Sequence, residues 1–282
     1  MRLLRVFPRR TSHTPTDALA FVGNPPMDRP EVDEVHVSCT FTWDIAEALR
    51  LAQEWGRFYP VVKTGGPAFG KPLEAFVPGR YVAKGVTFTT RGCRNSCPWC
   101  LVPTHEGDFV ELPDFADGYM VQDNNLLQAG REHITRVCEM LDRQKRAAIF
   151  SGGIQASLVD DWFADQLRRI RVNSVFLAAD TAGALKPLAH AIECLPFLGR
   201  KKLRVYTLIG FNGETIPEAE ARLEHIWELG ALPFAQLYQP SEKRIEYPRD
   251  WRDLARTWSR PAAMVASHTE QKPTLPPHGM GA

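Results

Sequence analysis

Cys93, Cys97 and Cys100 carry the clearest chemical signal in this chain. They lie in Gly85-Val-Thr-Phe-Thr-Thr-Arg-Gly-Cys-Arg-Asn-Ser-Cys-Pro-Trp-Cys100, a C-x3-C-x2-C pattern on the loop after a β-type run. Thiolates ligate iron–sulfur clusters and structural zinc, and both usually take four protein donors. Three thiolates leave a four-iron cluster with one iron open, and an open iron can bind and activate a further molecule. Structural zinc is the second reading. Zinc ribbons and fingers pair two ligand clusters, and the chain has no second C-x2-C, although His105 lies five residues beyond Cys100 and offers a fourth donor. Three free core cysteines are the third reading. Pro98 stiffens the loop, and Arg91-Gly92 falls where the strand must turn outward to present the thiols.

The elements that must hold this loop follow from hydrophobic periodicity. After Gly85, β-type runs recur at 85–90, 119–121, 147–150, 174–178, 203–209 and 233–238. Helical patterns fill most of the intervals, at 133–145, 158–171, 185–195 and 215–229. Only about 20 residues separate Cys100 from the second run, so the first helix is expected to be stunted. A short last helix is expected at 251–258, and a flexible Pro- and Thr-rich tail from 260 to 282. Before Gly85, residues 35–42 read as a strand, 45–55 as an amphipathic helix and 59–63 as a strand, closed by a Gly/Pro-rich stretch at 65–79. The alternation gives an α/β fold with parallel strands. It divides into a small Rossmann-like β-α-β unit (1–80) and a second unit (81–259) whose six β segments suggest a partial β/α barrel.

In such folds chemistry gathers at the C-terminal strand ends. The second run ends in Gln122-Asp123-Asn124-Asn125 and the third in Ser151-Gly152-Gly153-Ile154-Gln155. The fourth ends in Ala179-Asp180-Thr181 and the fifth in Leu208-Ile-Gly-Phe-Asn-Gly-Glu-Thr215, while Gln236 and Tyr238 lie on the sixth. Each has a structural alternative: an Asx-rich turn at 122–125, a tight turn at Gly152-Gly153, a helix cap by Asp180 or Thr181 and by Glu214 or Thr215, and ordinary packing for Gln236 and Tyr238. His105 and Glu106 follow the triplet closely and read either as substrate or proton-transfer groups or as a solvated loop. Cys138 reads as core. Cys39 reads as core or as a hydrogen-atom donor.

The triplet, the aromatic Trp99 before its third cysteine and the sequence of polar strand ends resemble the radical S-adenosylmethionine (SAM) superfamily over roughly residues 85–238. The resemblance implies a partial (β/α)6 TIM-like barrel. It implies a 4Fe–4S cluster on Cys93, Cys97 and Cys100, with SAM chelating the fourth iron and cleaving to a 5′-deoxyadenosyl radical that abstracts hydrogen from a substrate. Trp99 would then lie against the SAM adenine. Gln122, Asp123, Asn124 and Asn125 replace the usual Gly-Gly-Glu that binds the SAM amino group. Gly152, Gly153 and Gln155 would line the SAM or substrate site, or supply the amino-binding motif themselves if the strand count shifts by one. Asp180 would accept from the ribose hydroxyls, the backbone around Gly210 would support adenine, and Tyr238 would line the cavity. A reductant such as flavodoxin or ferredoxin is the implied partner.

The N-terminal unit is similar to a truncated cobalamin-binding domain and to the N-terminal region of methylthiotransferases. It has no Asp-x-His-x-x-Gly ligand sequence, and only Cys39 precedes the triplet, so neither cobalamin nor a second three-cysteine cluster is expected. The whole layout resembles compact radical SAM proteins of bacterial and phage genomes. It points to a nucleobase or modified nucleotide, with a peptide or free metabolite as the alternative. Composition adds little, because 34 basic against 33 acidic residues give no bulk polyanion signature. The basic clusters 143–146, 168–171 and 200–202 read as phosphate contacts or as solvated faces. No apolar run reaches the roughly 20 residues of a membrane span, and the N-terminal apolar stretch is short for a signal peptide, so a cytoplasmic location is expected. Two other functions stand beside the enzyme: a non-catalytic iron–sulfur electron-transfer protein and a zinc-stabilised nucleic-acid-binding protein.

Overall fold

The computed structural model describes residues 1–70, 76–240 and 243–270. The first unit comprises β1 (Leu3–Phe7), β2 (Ala20–Val22), β3 (Glu34–Ser38), α1 (Ile45–Gly56) and β4 (Val62–Gly65). Its strands form a parallel sheet in the order β2-β1-β3-β4. In α1 the residues Ala48, Leu51 and Trp55 recur at helical spacing and are buried, which seats the helix on β3 and β4. The expected β-α-β unit is therefore present, with β1 and β2 added to it.

The second unit comprises β5 (Gly85–Thr87), β6 (Thr90–Arg91), α2 (Val102–His105), β7 (Val110–Glu111), β8 (Gly118–Val121), α3 (Arg131–Asp142), β9 (Ala148–Gln155), α4 (Asp161–Arg168), β10 (Val172–Ala178), α5 (Leu185–Cys194), β11 (Leu203–Ile209), α6 (Ile216–Glu228), β12 (Leu232–Leu237), α7 (Arg249–Thr257) and α8 (Pro261–Glu270). Strands β5, β8, β9, β10, β11 and β12 form one six-stranded parallel sheet, neighbouring one another in chain order. The stunted first helix is the single turn α2. Alternation explains β11: Leu203, Val205 and Ile209 are buried while Arg204, Tyr206 and Leu208 are only partly covered. Leu203 and Val205 join Val121, Phe150, Val175 and Leu177 from neighbouring strands and Val137, Phe163, Leu188 and Ile226 from α3, α4, α5 and α6 in one core, while Ile209 joins Leu223, Leu254 and Trp258 in another. The helices thus cover one face of the sheet. Thr215 opens α6 through a reciprocal cap, with its N–H and hydroxyl donating to Glu218 Oε2 at 2.8 and 2.7 Å.

Two expectations are corrected. The third strand does not end at Phe150, and Ser151-Gly152-Gly153-Ile154-Gln155 is neither a loop nor a tight turn. It is the second half of β9, where the register with β10 slips between Phe150↔Val175 and Ile154↔Leu177. The strand bulges there and resumes pairing. The tail expected from 260 is helical over Pro261–Glu270, with Met264 buried against the core that holds Leu254 and Trp258. Residues 271–282 lie outside the described residues. No helix among the described residues is long and apolar enough to cross a membrane.

Candidate functional site

The cysteine loop leaves the sheet at the C-terminal end of β5 and is tied down along its length. At its root, Asp123 accepts from the Thr89 N–H at 2.6 Å, the Thr90 N–H at 3.1 Å and the Thr89 hydroxyl. Strands β6 and β7 pair antiparallel across the loop, Thr90 opposite Glu111. Glu106 then closes a clamp: its Oε1 pairs with Arg91 at 3.0 Å, and its Oε2 accepts from Gly92 N–H at 3.1 Å and Asn124 Nδ2 at 2.6 Å. Gln128 accepts from the Arg94 N–H at 2.8 Å, and its carbonyl accepts from the Arg94 guanidinium at 2.7 Å. Gln155 Oε1 receives both Asn95 Nδ2 and Asn125 Nδ2 at 2.9 Å. Position 92 calls for glycine on two counts: its φ is 69°, and a Cβ there would meet the Asp108 carbonyl oxygen at 2.2 Å.

The three thiols are partly covered and unbridged. Burial pushes the Cys97 thiol up, and the neighbouring Cys100, Asp180 and Cys93 push it further. Burial also raises Cys100, with Cys93, Asp180 and Glu106 adding to it against a backbone hydrogen bond. The thiols therefore sense one another, and two carboxylates make their surroundings electronegative. A metal ion binding Cys97 and Cys100 would therefore have to displace their protons, as it does at any thiol ligand. Among the described residues, no group of three or more His, Cys, Asp or Glu side chains is placed to hold a metal ion, so the triad has not converged on a single-ion geometry. His105, the candidate fourth donor, packs its ring against Gly70 of the first unit.

Beside the loop is a cleft of about 850 Å³, within the range of small-molecule sites. Trp99, Asp180, Thr181, Phe211 and Glu214 are among its lining residues. Trp99 meets Phe211 edge-on at 5.3 Å, and Phe211 meets Tyr238 at 4.8 Å, an aromatic row running from the cysteine loop to the end of β12. Asp180 Oδ1 accepts from the Leu208 N–H at 2.8 Å, linking the ends of β10 and β11 rather than capping a helix. Burial raises its carboxyl. Arg222 joins the wall, donating to the carbonyls of Asp180 and Leu208 and pairing with Glu214 at 2.5 Å. Gly210, at φ 76°, donates to Glu214 Oε2 at 2.8 Å and stacks against Tyr247, whose ring a Cβ would strike at 2.9 Å. A smaller hollow of about 470 Å³, lined by Arg168, Arg171, Phe197 and Lys202, lies by the N-terminal starts of β10 and β11, away from the thiols.

The site residues expected from sequence thus fall into three places. Cys93, Cys97, Cys100, Trp99, Asp180 and Tyr238 gather around the loop and cleft. Asp123, Asn124, Asn125, Gly152, Gln155 and Gly210 are scaffold. Gln122 and Gly153 belong to the helix-free face of the sheet, Gln122 Nε2 donating to Ser151 Oγ at 2.9 Å. Of the candidates at 122–125, Asp123 is 2% exposed, and its carboxylate is taken up by Thr89 and Thr90. Cys39 and Cys138 are core thiols, pushed by burial up to about 11 and about 12. Sequence reading missed Gln128, Phe211 and Arg222.

Asp123 also gives a pH signature. Burial pushes its carboxyl up to about 6 against the pull of its three donors. The folded state then holds a proton that the unfolded chain releases near 4, so stability falls as pH rises between about 4 and 6 and is level above. Asp123→Asn removes this titration. The expected result is that wild type loses about 2–3 kcal/mol relative to Asp123→Asn across that window. Parallel thermal melts at several pH values check it, and a constant difference would refute it.

No family model matches the chain, and no curated protein matches it.

Proposed function

We propose that this chain is a radical SAM enzyme whose six parallel strands form a partial (β/α)6 barrel with the cluster at its C-terminal rim. The observation that carries the proposal is the loop itself: three unbridged, partly covered thiols on a loop clamped at several points, beside a cleft lined by Trp99 and Asp180. With a 4Fe–4S cluster on Cys93, Cys97 and Cys100 and SAM on its open iron, the chemistry supplied would be reductive cleavage of SAM to a 5′-deoxyadenosyl radical that abstracts hydrogen from a substrate. Trp99 and Phe211 offer flat apolar surface for an adenine. Asp180 suits a vicinal diol, because a carboxylate accepts from both hydroxyls. The Glu106 clamp and the Asp123 anchor would keep the thiols in place.

Strand order in chain sequence, helices on one face and the aromatic row from the loop after β5 to the end of β12 all favour a sheet curled toward closure. A cytoplasmic location, a flavodoxin- or ferredoxin-type reductant and a nucleobase or modified nucleotide as substrate belong to the same proposal. The test is to reconstitute the full chain with iron and sulfide without oxygen, reduce it and add SAM. About four irons per chain, a SAM-dependent change in the paramagnetic spectrum and 5′-deoxyadenosine are expected. A colourless protein with one zinc would identify the zinc-stabilised alternative, and a cluster indifferent to SAM the electron carrier.

A further inference from the structure

The helix-free face of the six-stranded sheet holds a cation with no carboxylate partner among the described residues. Arg204 lies on β11 on the opposite side from Leu203 and Val205, with Phe176 of β10 beside it in register and Phe234 of β12 opposite Tyr206. Its guanidinium carbon stands 5.5 Å from the Phe176 ring centre and 5.4 Å from that of Phe234. Its Nε is sealed from solvent without a hydrogen-bond partner. Burial works against its charge, and among the described residues only the neighbouring Tyr206 phenol, no carboxylate, offsets it. Arg222 shows the contrast: it is more deeply buried than the partly covered Arg204, yet it is matched by Glu214 and two carbonyls. Buried donors in folded proteins are nearly always satisfied, so an unpaired guanidinium N–H marks a place where a partner is expected from outside the chain.

The surroundings specify that partner. Phe176, Tyr206 and Phe234 form a mutually packed aromatic wall that remains partly exposed. The Tyr206 hydroxyl is fixed by donation to the Ser151 carbonyl at 2.8 Å. The Gln122 amide borders the same wall, its Nε2 lying 2.9 Å from Ser151 Oγ and 3.2 Å from His13 Nε2 of the first unit. A guanidinium favours a carboxylate or phosphate, and an aromatic wall favours a flat ring.

We infer that this face binds a small planar molecule bearing an oxyanion, carboxylate or phosphate, with the oxyanion on Arg204 and the ring against the Phe176–Tyr206–Phe234 wall. That this molecule is the substrate rests on the enzyme proposal; the binding itself needs no cluster. The experiment measures equilibrium binding to the full chain at low salt for two matched pairs, uridine 5′-monophosphate against uridine and orotate against uracil, with inorganic phosphate alone as control. At least one anionic probe is expected to bind about tenfold or more tightly than its neutral partner, a preference that Arg204→Gln abolishes and Arg204→Lys partly restores. Which pair shows the preference distinguishes phosphate from carboxylate. On wild type, the preferred anion is also expected to protect Arg204 from phenylglyoxal, which keeps the test decisive should the Gln variant not fold. No anion preference in either pair, a preference that survives Arg204→Gln, or no protection would overturn the inference. The Cys93→Ser, Cys97→Ser, Cys100→Ser triple variant is expected to keep the binding while losing iron, so failure of the cluster reading and failure of this one are read separately.

Discussion

Alanine at any one of Cys93, Cys97 or Cys100 is expected to cut 5′-deoxyadenosine formation at least about a hundredfold and to strip most of the reconstituted iron. The size follows from the ligand count. Loss of groups that merely support a metal ligand costs about 10–100-fold in affinity or activity. A cluster already one protein ligand short has no spare donor, and His105, the nearest candidate, is packed on Gly70. Cys138→Ala is the matched control. Its thiol is buried in the α3 core and pushed by burial up to about 12, so it is inert at neutral pH. That variant is expected to lose some stability and no iron. Iron content and product, measured together on the four variants, check both statements. Full activity in Cys97→Ala, or equal iron loss in Cys138→Ala, would remove the basis of the enzyme proposal.

What the sequence made legible follows the length of its physical signals. Strand β11 has the bounds expected from sequence because a run rich in aliphatic, β-branched and aromatic residues fills it without Gly or Pro. The cysteine triplet, Trp99 and Asp180 were legible because residue type and position at a strand end coincide. The β9 bulge was not, since a Gly-Gly pair ordinarily stops a strand and only pairing with β10 carries the chain onward. Helix α8 was hidden in a Pro- and Thr-rich composition, and its order comes from tertiary contacts: His268 on Glu224 at 2.9 Å and stacked on Trp227 at 4.2 Å. The tie of Asp123 to the root of the cysteine loop was not legible, because its partners, the Thr89 and Thr90 amides, have no sequence signature. Arg222 did leave one. Ala219, Arg222, Leu223 and Ile226 share one buried helical face, so a charged residue in that phase already called for a buried partner.

Gly152→Ala is expected to be the most damaging single-methyl change in the scaffold, although Gly152 touches no thiol. A Cβ at this position would fall 1.9 Å from the Asp123 carbonyl oxygen and 2.6 Å from the Gln122 carbonyl carbon. Both are backbone atoms, so no rotamer change can relieve the contact; the ends of β8 and β9 must separate. Overpacking of ordinary side chains costs about 1–3 kcal/mol, and a clash with fixed backbone belongs at or above the top of that range. About 3 kcal/mol corresponds to a melting temperature lower by roughly 6–12 °C for a chain of this size. The displacement also reaches the thiols, because the Asp123 side chain holds Thr89 and Thr90 at the root of the cysteine loop. Reduced iron retention is therefore expected alongside the lower melting temperature. Gly153→Ala separates this cause from backbone strain. Gly153 has φ 105°, but a Cβ there would meet only Tyr206 Cδ2 at 3.9 Å, so its cost is conformational and its effect on the loop small. Thermal melts and iron content of the two variants decide the matter: if Gly153→Ala loses as much iron as Gly152→Ala, the close approach of β9 to Asp123 is not what holds the loop.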